Sequence, residues 1–193
     1  MQVLFVCTAN MCRSPMAAAL FRRLSLVGGD DAPEDVEVES AGLLPGGYAS
    51  PPEVVTVMAE LGIDLSGHRS AQVSPELVAG SDVVVGMARR HAREVVLLDV
   101  AAFDRTFTLK ELVRRGDLVG RRQPDEELGP WLGRLHHGRQ RTDLVGRSDD
   151  DDVSDPLGGP LSAYRTTARE IGALVERAAA LLWVPRGIRT LPG

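Results

Sequence analysis

The sequence predicts an α/β fold: a single three-layer domain over residues 1–193, with a central, mostly parallel four-stranded sheet and helices on both faces. Two observations lead there. Residues 2–6, after Gln2, and Val83-Val84-Val85 within Ser81–Met87, are apolar without alternation, the pattern of strands covered on both sides. Between the strand candidates lie segments whose apolar residues recur at helical spacing, so strands and helices take turns along the chain. At 193 residues the chain is long enough to bury a core without disulfide or metal staples.

Taken in order, residues 2–6 form the first strand. Ser14 and Pro15 stand where a helix starts, and Met16, Ala17, Leu20, Leu24 and Val27 carry it over 14–27. Gly28–Pro33 reads as a loop and 36–40 as a short strand. The Gly- and Pro-rich stretch 42–52 is a second loop, followed by a helix over about 52–61. Ser81–Met87 gives the third strand and residues 88–98 a helix. A strand near 104–108 then leads into a helix from Leu109 to Arg114. The last long helix covers about 160–182, with Ile171, Leu174, Val175, Ala178, Leu181 and Leu182 on one face.

Residues 115–148 break this rhythm. They are rich in Arg, Gly, Pro and Gln, with a short helix candidate around Trp131–Leu135, and they lead into the run Asp149–Asp152. The segment reads as a solvated, partly mobile insertion; a lid facing the substrate is the sharper alternative. His136 and His137 are adjacent and so do not share a helix face, which argues against a metal pair. Residues 184–193 read as a short tail.

Composition closes off several classes. A formal net charge of -5 argues against a general nucleic-acid binder. No apolar run reaches the roughly 18 residues of a membrane span. The N-terminus lacks a basic segment and its apolar stretch runs straight into Cys7, so no signal peptide is expected. The two cysteines, Cys7 and Cys12, make neither a disulfide framework nor a four-ligand zinc site. The expectation is a reduced cytoplasmic protein with a chemically active cysteine and no metal or cofactor. Its partner would be neither membrane nor nucleic acid; its oligomeric state is open.

The chemistry concentrates in Cys7-Thr8-Ala9-Asn10-Met11-Cys12-Arg13-Ser14-Pro15, which joins a buried strand to a helix. A loop there aims backbone N–H groups at one point, and the helix N-terminus adds partial positive charge, a site for a tetrahedral dianion. Thr8, Ala9, Asn10, Met11, Cys12 and Ser14 would line it. The same field favours the thiolate of Cys7, the nucleophile candidate. Arg13 can clamp two phosphate oxygens with its planar fork. Ser14 can donate a hydrogen bond to the Cys7 sulfur, and Asn10 can adopt left-handed angles and tie the loop through its amide. Cys12 is either a redox partner for Cys7 or a small buried filler.

With these residues the chain resembles the low-molecular-weight protein-tyrosine phosphatase family. The resemblance covers residues 2–113 and 149–182 and extends to Glu39-Ser40-Ala41-Gly42, Gly67-His68-Arg69, Ser81–Met87 and Asp155-Pro156. It implies phosphorylated protein as substrate, Cys7 as nucleophile, Arg13 as phosphate ligand, Asp155 as general acid, and His68 as a prop for the loop. Asp155 is also favoured locally. Pro156 restrains the chain beside it and Gly158-Gly159 makes a tight loop, whereas the Asp149–Asp152 run reads as a solvated face.

The chain departs from the family pattern after Asp155-Pro156. Leu157-Gly158-Gly159 stands where many members have two aromatic residues. Asp-Pro-x-Gly-Gly, with Phe107–Glu111 before it and Tyr164 after it, resembles the bacterial branch that includes protein-arginine phosphatases. In that branch the position of Met11 is typically Thr in arginine-specific members and a bulky aliphatic residue in tyrosine-specific ones. The two clues pull apart. The expectation is a phosphotyrosine phosphatase working through a phosphocysteine, with a protein-arginine phosphatase as the alternative. The same fold hosts thiol-dependent arsenate reductases; no cysteine follows Cys12, so that chemistry would need an external thiol.

Overall fold

The computed structural model describes residues 1–27, 36–123, 125–148 and 150–183. Four strands form one parallel sheet in the order β2-β1-β3-β4: β1 Gln2–Cys7, β2 Glu37–Gly42, β3 Val83–Gly86 and β4 Thr106–Thr108. Seven helices accompany it among the described residues: α1 Arg13–Val27, α2 Pro52–Glu60, α3 Pro75–Gly80, α4 Arg89–Leu98, α5 Leu109–Val119, α6 Leu128–His136 and α7 Leu161–Leu182. Every strand and long helix expected from the pattern is present. The loop at 28–33, Asp149 and the tail 184–193 lie outside the described residues.

The unbroken apolar runs are explained by the two layers that cover the sheet. Val3, Phe5 and Cys7 of β1 face a core shared with α1, α2, α5, α6 and α7. The alternate residues Leu4 and Val6 face a second core with Val78 of α3 and Val95 of α4. In β1 the register pairs Cys7 with Gly42 and Val6 with Gly86. The carboxyl ends of β1, β2 and β3 therefore meet at one rim, where an open parallel sheet places its ligand.

One helix goes unanticipated, and one expectation fails. Helix α3 has no counterpart in the periodicity; its signal was Ser74-Pro75-Glu76, where the Ser74 hydroxyl accepts the Leu77 N–H and Pro75 opens the first turn. The segment 115–148 is not a solvated insertion. Helix α5 runs on to Val119, and Trp131 and Leu135 of α6 are fully buried. Arg139 is buried too. Its guanidinium donates to both oxygens of Glu111 and to the carbonyls of Phe103 and Thr106, and lies over the Phe107 ring. Leu144 packs with Ala92, Val96 and Phe103. Nor is α6 a lid: it lies by Ala101–Arg105 and Ser81-Asp82, which precede β4 and β3, at the end of the sheet away from Cys7.

Candidate active site

Residues 7–14 wrap around the sulfur of Cys7. The Asn10 N–H donates to it at 3.3 Å and the Ser14 hydroxyl at 3.0 Å. Asn10 is the one described non-glycine residue with a positive φ, 52°. Its side chain holds the strained turn: the amide N–H groups donate to Ser14 Oγ and Ser40 Oγ, and Oδ1 accepts the Ala71 N–H. His68 donates from Nε2 to the Asn10 carbonyl at 2.7 Å, so it props the loop through the backbone of Asn10. Gly42 makes room for all this. A Cβ there would stand 2.7 Å from the Ala9 carbonyl carbon and the Asn10 nitrogen.

Arg13 is buried, with three contacts. Nη1 donates to the Val153 carbonyl at 3.0 Å, and Nη2 to Thr8 Oγ1 at 3.3 Å and to Asp155 Oδ2 at 2.5 Å. Nε is buried and has no acceptor among the described residues. One edge of the guanidinium thus carries an orphaned donor beside a donor occupied by a carboxylate, an arrangement fit for an oxyanion. Asp155, by contrast, is exposed. Its Oδ1 accepts the Leu157 N–H at 3.3 Å. The turn beyond it needs Gly158, at φ 80°, and is held by the Tyr164 hydroxyl, which accepts the Gly158 N–H.

All ten residues expected at the site gather here, eight of them in or next to one loop. Thr8, Ala9 and Met11 are partly buried, and Met11 packs against the main core. Burial pushes the Cys12 thiol up to about 12, with the negative charges of Asp155 and Cys7 adding to it, so Cys12 stays protonated near neutrality. That favours its reading as a buried filler.

Four further residues were not legible. Arg90 donates to Thr8 Oγ1 and, from Nε, to His91 Nε2 at 3.2 Å. His91 is fully buried, with Nε2 3.1 Å from Thr8 Oγ1. Burial, with the charges of Arg13 and Arg90, lowers His91 to about 3. A neutral ring fits the geometry, since Nε2 receives the Arg90 N–H. Arg89 and Asp151 form an ion pair beneath the Asp155 segment. Asp151 corrects the reading of Asp149–Asp152 as a solvated face, for it is buried. Burial opposes its charge, yet hydrogen bonds from Arg114 and Arg89 hold its carboxyl below the usual range. Asp151 lies 62 positions from Arg89 and 37 from Arg114, and Arg90 and His91 lie 82 and 83 from Thr8, so no local pattern announces them. Among the described residues no group of three or more His, Cys, Asp or Glu could hold a metal ion. No described helix is long and apolar enough to cross a membrane.

The parallel sheet with a cysteine-and-arginine loop at its carboxyl rim places the protein among cysteine-dependent phosphatases, and comparison with known proteins agrees. Residues 2–119 match the model of the low molecular weight phosphotyrosine protein phosphatase family. The chain belongs to that family. It is 32% identical to a protein-arginine-phosphatase of Geobacillus stearothermophilus over 182 residues, 94% of this chain and 95% of the relative. Two solved structures are similar over their length. A low molecular weight protein tyrosine phosphatase from T. tengcongensis has TM-score 0.69 and 34% identity, covering 94% of this chain and 99% of that one. The YwlE arginine phosphatase from Geobacillus stearothermophilus has TM-score 0.67 and 33% identity, covering 93% and 90%.

Proposed function

We propose that this chain is a protein phosphatase that hydrolyses phosphoarginine side chains through a phosphocysteine on Cys7. The observation that carries the substrate is the similarity to a protein-arginine-phosphatase across 94% of the chain, a span that takes in the Asp155 loop as well as the Cys7 loop. Phosphotyrosine, the substrate favoured by the sequence, keeps two supports: the similarity to a protein tyrosine phosphatase from T. tengcongensis, 34% identical across 94% of this chain, and Met11, which fills the loop position where a bulky side chain accompanies tyrosine specificity.

The site chemistry is the same for either substrate. The Cys7 thiolate attacks phosphorus; the S–P bond forms as the P–N or P–O bond breaks, and the departing electron pair takes the proton of Asp155. Arg13 and the backbone N–H groups of the loop meet the charge on the phosphoryl oxygens. The Asp155 carboxylate then takes a proton from water as that water attacks phosphorus. The S–P bond breaks, and phosphate leaves with the Cys7 thiolate restored. Ser14, 3.0 Å from the sulfur, supports the thiolate both as nucleophile and as leaving group.

The test is kcat/KM on paired peptides of one sequence carrying phosphoarginine or phosphotyrosine. Higher efficiency on phosphoarginine supports the proposal. Efficient hydrolysis of phosphotyrosine alone would return the assignment to the second reading.

A further inference from the structure

Asp151 lies four residues before Asp155, and both of its carboxylate oxygens are taken. Arg89, at the start of α4, reaches Oδ2 through Nε at 2.8 Å and Nη2 at 2.7 Å. Arg114, on α5, reaches Oδ1 at 2.7 Å. The side chain of Asp151 is 5% exposed, against 41% for Asp155. The next two residues are tied as well. Asp152 Oδ1 accepts the Arg89 N–H at 2.8 Å, and the Val153 N–H donates to the Met87 carbonyl at 2.8 Å. Only Ser154 separates this anchored stretch from Asp155.

Anchoring matters because the direct hold on Asp155 is temporary. Its strongest contact is Arg13, the residue that a phosphate would engage. Once substrate occupies Arg13, the carboxyl keeps its place through the chain that carries it. A fork-like arginine on a carboxylate is directional as well as attractive, so it fixes the orientation of the segment.

We propose that Asp151 is a positioning residue for the acid: with Arg89 and Arg114 it clamps the Asp155 segment to α4 and α5 and keeps the Asp155 carboxyl aimed at the leaving atom. The inference rests on the reading of Asp155 as general acid, and Asp155→Asn is run beside it to separate the two.

The experiment measures kcat/KM, which reports phosphoryl transfer to Cys7 and not the later hydrolysis step, on p-nitrophenyl phosphate, whose leaving group needs little protonation, and on phenyl phosphate, whose leaving group needs it. The inhibition constant of inorganic phosphate reports the state of the Cys7 loop. Asp151→Asn should lower the phenyl phosphate rate about 10- to 100-fold, the scale of a misaligned catalytic group. It should change the nitrophenyl rate less than about threefold, and it should leave phosphate inhibition nearly unchanged. Arg114→Gln should move the ratio of the two rates the same way, by less, because Arg89 still holds Oδ2. That variant carries the test if Asp151→Asn does not fold, since Arg114 is half exposed. Equal losses on both substrates, or an unchanged ratio, would overturn the proposal. If Asp155→Asn itself shows no preference for the activated ester, the acid reading has failed, and the clamp falls with it.

Discussion

Asp155 and Arg13 hold one another in the free protein: the Arg13 Nη2 lies 2.5 Å from Asp155 Oδ2, while the neighbouring Nε has no acceptor among the described residues. A carboxylate thus stands at the donor edge suited to phosphate, and substrate must displace it. Asp155→Asn should therefore bind inorganic phosphate more tightly than the parent. Its kcat/KM should also fall by about 10²–10⁴-fold on poor leaving groups, with a much smaller loss on nitrophenyl phosphate. Inhibition and rate measurements on the one variant check both. Asp152→Asn keeps an oxygen for the Arg89 N–H and should do neither.

Met11 sits in the loop between Cys7 and Arg13, partly buried against the core. Replacing it with the smaller, hydroxylated Thr should raise the ratio of phosphoarginine to phosphotyrosine hydrolysis. The two kcat/KM values for parent and Met11→Thr decide it. A ratio that does not move would show that Met11 is not what selects the leaving group.

His91 makes stability depend on pH. The unfolded chain takes up this proton near 6.5, the folded chain only near 3. Between those values the unfolded state binds the extra proton. The stabilisation is therefore complete above 6.5 and is lost as pH falls toward 3, at up to about 1.4 kcal/mol per unit. Urea unfolding from pH 4 to 7.5 should show this slope in the parent and a flatter one in His91→Gln. Identical slopes would mean that the imidazole is not held neutral.

Cys12, with its thiol pushed up to about 12, should be a slow partner for an oxidised Cys7, because the thiolate is the attacking form. Cys12→Ser should keep most activity and recover as well as the parent when thiol follows peroxide. Poorer recovery of the variant would show that Cys12 resolves the oxidised nucleophile after all.

What the sequence revealed follows the range of its signals. Cys7, Asn10 and Ser14 touch one another within a few positions, so the hydrogen bonds of the loop were legible, down to the Ser14–Cys7 and Asn10 contacts. Asp155 was legible through Pro156 and Gly158, which shape a turn whatever surrounds it. The strands and the longer helices showed in their periodicity. Arg89, Arg90, His91 and Asp151 gain meaning only when α4, α5 and the segment before Asp155 come together, and a run of four Asp residues looks solvated until Arg89 and Arg114 are placed against it. Residues 115–148 misled for a related reason. Trp131, Leu135 and Leu144 are sparse among Gly and Arg, and the charge of Arg139 is buried because Glu111, from α5, meets it there.

The most direct measurement is on Cys7→Ser, assayed for hydrolysis of an aryl phosphate and, separately, for binding of phosphate or vanadate. The hydroxyl keeps the loop and its donors but is a far weaker nucleophile than a thiolate. Turnover should vanish while anion binding stays measurable. Substantial residual hydrolysis by the purified variant would contradict a mechanism that runs through a phosphocysteine on Cys7.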